Sequence, residues 1–167
     1  MDRLIEELQS QPLNGSDMMK LVEHKANLST INSLANYNDI NDVLGRDGAV
    51  ILLYETKPMY GHWVCLYRIN NNTLFFFDPY GLAPDQQLRF SKFSKPYLSK
   101  LLKKSGYNVK YNSYDIQHFS KNISTCGKFV AFRLIFRNVS NRDFISLFLN
   151  NKYYSPDFWI SALMTFL

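Results

Sequence analysis

Cysteine is scarce in this chain: Cys65 and Cys126 are the only two in 167 residues. Neither stands in a CxxC or Cys/His spacing, which excludes the usual structural zinc patterns, and a reducing compartment leaves both as thiols. Long apolar runs are also missing. No stretch approaches the roughly 18 to 20 continuous apolar residues that a membrane span needs. The opening Met1-Asp2-Arg3-Leu4-Ile5-Glu6-Glu7 alternates charge with apolar residues and has no run of signal-peptide length. The expectation is a soluble, intracellular protein that is not secreted and does not engage membranes, so triplets such as Asn71-Asn72-Thr73 carry no glycosylation meaning.

The polar, aromatic-poor signature of disorder is absent as well. The chain is 46% hydrophobic, 16% aromatic and 20% charged, the balance of an ordered globule. Its length suits one domain, residues 1–167, with no repeat or linker, and suffices to bury a real core. A formal charge of +5 and a pI near 9.1 permit attraction to a polyanion without defining a fold.

Residues 2 to about 24 read as two helical pieces broken at Pro12-Leu13-Asn14-Gly15, with Ser16 or Asp17 as cap of the second. A short helix is expected from Asn38 to Leu44, capped by Asn38 and ended by Gly45. Three strands rich in β-branched and aromatic residues follow, Ala49 to Tyr54, His62 to Ile69 and Thr73 to Phe77, the last two joined at Asn70-Asn71-Asn72 as a hairpin. Arg89 to Lys104 alternates Phe90, Phe93, Tyr97, Leu98, Leu101 and Leu102 with basic residues, predicting a basic amphipathic helix broken near Pro96. Val109 to Ile116 returns to strand and ends at Gln117. From Cys126 to about Val139 apolar side chains occupy nearly every face, which predicts a helix buried at the centre of the molecule. Two amphipathic helices close the chain, the last starting at Ser155-Pro156-Asp157.

Three motifs carry chemistry. A cysteine at a helix start, as in Thr125-Cys126-Gly127, sits in the positive end of the peptide dipoles, which favours the attacking thiolate, and Gly127 lets a substrate backbone approach closely. Taken alone, the same triplet more often marks a buried structural cysteine. His62 opens its strand, with Trp63, Cys65 and Tyr67 on one face and His62, Val64 and Leu66 on the other. A histidine there can take a thiol proton, or simply be satisfied locally. Asp78 ends the partner strand in Phe77-Asp78-Pro79-Tyr80-Gly81. The hairpin makes it a neighbour of His62, although Asp-Pro-x-Gly also reads as plain turn chemistry. His24 and His118 lack such a strand context, and Cys65 reads as a packed, unreactive thiol.

Gly61-His62-Trp63, Phe77-Asp78-Pro79-Tyr80-Gly81, Gln117 and Thr125-Cys126-Gly127, in that order over roughly residues 45 to 140, resemble the adenovirus protease (adenain) and SUMO-protease superfamily of cysteine peptidases. The likeness is to its viral branch, including the maturation proteases of virophages and Polinton or Maverick elements. It implies an α+β fold, a mixed sheet packed by helices with the catalytic cysteine at the start of the buried central helix. It also implies His62 as base, Asp78 as its orienting partner, Cys126 as nucleophile, Gln117 as oxyanion donor, and Trp63 with Gly127 beside a narrow substrate channel that favours glycine before the cut. Gln117 lies nine positions before Cys126, a longer spacing than in better-known members, and a looped His118–Ser124 insert absorbs the difference.

The resemblance thus implies a monomeric thiol endopeptidase without cofactor or metal. It would cut viral capsid or other precursor proteins, in the virion and in the host cytoplasm or viral factory. Hydrolysis of SUMO or ubiquitin conjugates is the alternative within the superfamily, and chain length favours the viral reading. From another class, the basic balance fits a nucleic-acid-binding protein without catalysis. The Arg89 to Lys104 stretch is either a DNA or capsid contact or the solvated face of a packed helix.

Overall fold

The computed structural model describes residues 1–167. A five-stranded sheet, ordered β1-β2-β3-β4-β5, runs through the middle: β1 Asn27–Thr30, β2 Ala49–Lys57, β3 Tyr60–Asn70, β4 Thr73–Phe77 and β5 Asn108–Tyr111. The inner pairs β2/β3 and β3/β4 are antiparallel, and the two edge pairs are parallel, so the sheet is mixed. Seven helices pack on it: α1 Asp2–Ser10, α2 Gly15–Leu21, α3 Ile40–Leu44, α4 Tyr97–Ser105, α5 Cys126–Ile135, α6 Asn141–Leu149 and α7 Pro156–Leu163. The fold class is α+β, as expected.

Strand alternation divides the core in two. Ala49, Ile51, Cys65, Tyr67, Phe75 and Phe77 face α5, α6 and α7, together with Phe129, Val130 and Phe144. Val50, Leu52, Val64, Leu66, Leu74 and Phe76 face α3 and α4. Burying each such side chain contributes about 1.5–3 kcal/mol, which explains why the apolar run after Cys126 makes α5 the central helix. Nine of its ten residues, Cys126 through Leu134, are buried.

Several local expectations shift. The cap of α2 is Asn14, which accepts from Asp17 N, and the cap of α3 is Asp39, one residue after Asn38. Each lets a short polar side chain reach an unpaired first-turn amide. Strand β3 starts at Tyr60, so His62 lies inside it, and the central helix ends at Ile135 rather than Val139. The predicted basic helix Arg89 to Lys104 is not one helix. A short 3-10 turn covers Gln86–Phe90, an irregular segment follows, and α4 begins only after Pro96. Pro96 lacks the amide that would continue a helix through it. In α4, Leu98, Leu101 and Leu102 are buried while Lys100, Lys103 and Lys104 are exposed. The strand predicted to reach Ile116 stops at Tyr111, where Asn112 turns back to bond the backbone of Asp78 and Tyr114. No helix is long and apolar enough to cross a membrane.

Candidate active site

The β3/β4 register sets the geometry. Asn70 pairs with Thr73 and Cys65 with Phe77, so β4 ends opposite Cys65 and leaves His62 beyond it, next to the following turn. There His62 Nε2 and Asp78 Oδ1 are 2.7 Å apart, both side chains almost wholly buried. The same Oδ1 accepts from Tyr80 N at 2.8 Å. Asn112 clamps the aspartate's backbone from both sides, accepting from Asp78 N at 3.1 Å and donating to Asp78 O at 2.7 Å. Gly81 completes the turn at φ +70°, where an added Cβ would lie 2.6 Å from the Tyr114 carbonyl carbon. Tyr80 stacks on the imidazole, ring centroids 4.4 Å apart and planes 15° from parallel.

With Nε2 donating to Asp78, Nδ1 is the nitrogen left for Cys126. The two groups lie close enough to shift each other. Burial raises the Cys126 thiol, but the His62 ring and the backbone amides of Trp63 and Gly127 outweigh it and hold the thiol below its usual value. Burial lowers His62, but Asp78 and the Cys126 sulfur outweigh that and carry it up to about 10. The two shifts point the same way, toward transfer of the Cys126 proton to the imidazole. Cys65 behaves oppositely. It is fully buried on the α5-facing side of the sheet, and burial raises its thiol well above the ordinary range.

Cys126 and His62 open into a cleft of about 1140 Å³. Trp63 and Gln117 also line it. Backbone amides of Ile116 and Gln117 both donate to Pro79 O, at 3.0 and 3.1 Å, which ties the glutamine to the Asp78-Pro79 turn. Gln117 itself is buried and its Oε1 has no protein partner. Gly127 is not part of the cleft wall. An added Cβ there would meet Leu13 and Met18, each at 3.2 Å, so its missing side chain admits these neighbours to the start of α5.

No known family profile matches the chain. Over 140 residues it is 35% identical to an uncharacterized protein, V9, of Sputnik virophage, an alignment covering 79% of this chain and 80% of the relative. The chain belongs to the family of that virophage protein. Among solved structures it is similar to an ASFV protease at a TM-score of 0.46 and 13% identity, over 80% of this chain and 55% of that one. It thus spans about half the length of that protease. The central domain of an uncharacterized Legionella pneumophila protein aligns over 99% of this chain and 96% of its own length at a TM-score of 0.36 and 15% identity.

Three polar residues of this virophage-family chain support the site without having been expected to. Asn112 is the first. Asp157 is the second: fully buried at the start of α7, it accepts from the Thr125 hydroxyl and, at 2.9 Å, from His118 N. It thereby fixes the residue before Cys126 and the residue after Gln117. Thr125 itself makes no side-chain cap for α5. Lys128 is the third. Its ammonium donates to the carbonyls of Leu8 and, at 2.7 Å, Gln11, while Ser124 N donates to Gln9 O at 2.7 Å. The end of α1 is thus tied to both sides of Cys126, and burial lowers Lys128 to about 8. A lysine in the first turn of a largely apolar helix was the visible signal. His24 and His118 are exposed.

Proposed function

We propose that this chain is a cysteine endopeptidase that cuts viral precursor proteins during virion maturation. One observation carries the reading: a cleft-lining cysteine at the start of the central helix is paired with a histidine whose far nitrogen is held by a buried aspartate. Membership in a virophage protein family supports the viral setting.

In the proposed reaction Nδ1 of His62 takes the Cys126 proton and the sulfur attacks a peptide carbonyl carbon. The tetrahedral intermediate collapses, Nδ1–H protonates the departing amine, and a thioester remains. Water attacks the thioester with His62 taking its proton, and Cys126 is released with the new carboxylate product. Asp78 keeps His62 in the tautomer that leaves Nδ1 free and stabilises the imidazolium. The Gln117 amide and the Cys126 backbone N–H, one of the first-turn amides that α5 itself leaves unpaired, are the donors for the oxyanion. Trp63 walls the channel beside the scissile bond, where glycine fits best.

The test is to incubate the purified protein with co-encoded structural proteins and map new N-termini by mass spectrometry, with Cys126→Ala as control. New termini that depend on Cys126 are expected. Their absence, or their persistence with Cys126→Ala, refutes the reading.

A further inference from the structure

The cleft is built without charged walls. Of the 24 residues that line it, none is Asp, Glu, Lys or Arg, although these four types make up 20% of the chain. Its one titratable lining pair is His62 with Cys126, and His62 already has its counter-charge in the buried Asp78. The remaining polarity comes from uncharged hydrogen-bonding groups such as Asn14, Ser29, Thr30, Ser33 and Thr56.

Charged side chains nearby are held in other bonds. Glu55 accepts from Met59 N at 2.9 Å, and Asp85 accepts from Tyr54 Oη and Ser99 N at 2.9 and 2.7 Å. Lys128 is occupied by carbonyls of the α1 end and Asp157 by Thr125 and His118. Near the mouth, Lys57 lies over the Tyr60 ring at 4.7 Å and is exposed, where salt screens it. A charged substrate side chain entering the cleft would lose water and gain no counter-charge, and an unpaired charge tolerates that poorly. Neutral polar or apolar side chains meet partners of their own kind.

Resting on the protease reading above, we infer that the substrate segment received by the cleft is a run of uncharged residues on both sides of the scissile bond, with Asp, Glu, Lys and Arg excluded wherever the cleft covers the chain. This selects a chemical class of sequence and acts at every covered position, whereas a narrow channel acts only at the cut.

A positional peptide library tests it with the full chain. Two readouts are needed, cleavage by the unmodified protein and binding to Cys126→Ala. A charge within the covered segment is expected to lower kcat/KM by about tenfold or more and to weaken binding in parallel. The same charge far from the cut should have no effect. Ser33→Lys places a cation in the exposed wall and, at low ionic strength where screening is weak, should raise turnover of peptides with one Glu at the facing position by about fivefold, the factor for a close charge pair in water. Selective binding of neutral peptides without any cleavage would leave this inference standing and remove the protease reading. Charged and neutral peptides bound and cut alike, or indifference of the profile to Ser33→Lys, would overturn the inference.

Discussion

The state of the Cys126 proton is the most direct consequence of the geometry, and His62→Ala is the perturbation that exposes it. A free thiol with pKa of about 8.5 is roughly 0.3% thiolate near pH 6. Cys126 sits below its usual value chiefly because the His62 ring opposes the effect of burial. Each unit of lowering multiplies the thiolate about tenfold, while the weaker nucleophilicity of a less basic sulfur returns roughly a factor of three. Alkylation of Cys126 by iodoacetamide near pH 6 should therefore exceed that of a free thiol severalfold per unit. His62→Ala should remove most of the excess and, with only the Trp63 and Gly127 amides left against burial, push reaction toward alkaline pH. The signs for catalysis follow separately. Peptide hydrolysis should switch on at the acid side as Cys126 ionises, below the ordinary thiol range. It should fail as pH rises through about 10, where His62 loses the proton it must give to the leaving amine. Mass spectrometry of single-equivalent labelling also separates the two thiols, since the fully buried Cys65 should stay unmodified in the native protein. An unchanged alkylation profile in His62→Ala, or preferential labelling of Cys65, would refute the ion-pair reasoning.

The other predictions address the groups around the pair. Asp78→Asn should keep the fold but lower kcat by about a hundredfold or more, because an amide orients the ring without stabilising its charge; near-normal turnover would count against the aspartate's role. Asp157→Asn places an amide where either the Thr125 hydroxyl or His118 N–H loses an ionised acceptor, costing about 1–3 kcal/mol, and thermal melting should fall by several degrees with kcat reduced. Retention of both the melting temperature and kcat would show that this bridge is idle. Trp63→Ala should relax the preference for glycine before the cut with residual turnover, as a peptide library reads directly; an unchanged preference would remove the indole from the channel wall.

How far the sequence reaches depends on how local each interaction is. His62 and Asp78 were legible because a short hairpin loop keeps the two strands adjacent, and although the register shifts by one residue between Asn70 and Arg68, the pairs from Arg68 with Leu74 to Cys65 with Phe77 then run unbroken to the site. The buried helix after Cys126 was legible because its apolar side chains leave no face for water. Strand β1 was not. Asn-Leu-Ser-Thr has neither the length nor the composition of a core strand, and it pairs in parallel with β2 only after an intervening crossover, so its partner is absent from any local pattern. The supporting residues Asn112, Lys128 and Asp157 share this property. Each is a buried polar side chain bonded mainly to backbone or to a hydroxyl of a distant segment. In the sequence such residues are polar letters in a loop, in a helix or at a helix start, and any exposed surface uses the same letters. Their burial distinguishes them, because a buried carboxylate or ammonium is destabilising unless fully bonded. Asp157 therefore constrains the Thr125 and Gln117 segments more strictly than an apolar contact would. The His62 and Asp78 pair is placed by short-range register, whereas the Gln117 and Thr125 segments beside Cys126 are placed by long-range polar bonds. Substitutions in α7, remote in sequence from Cys126, should consequently alter turnover while the His62 to Asp78 bond stays intact.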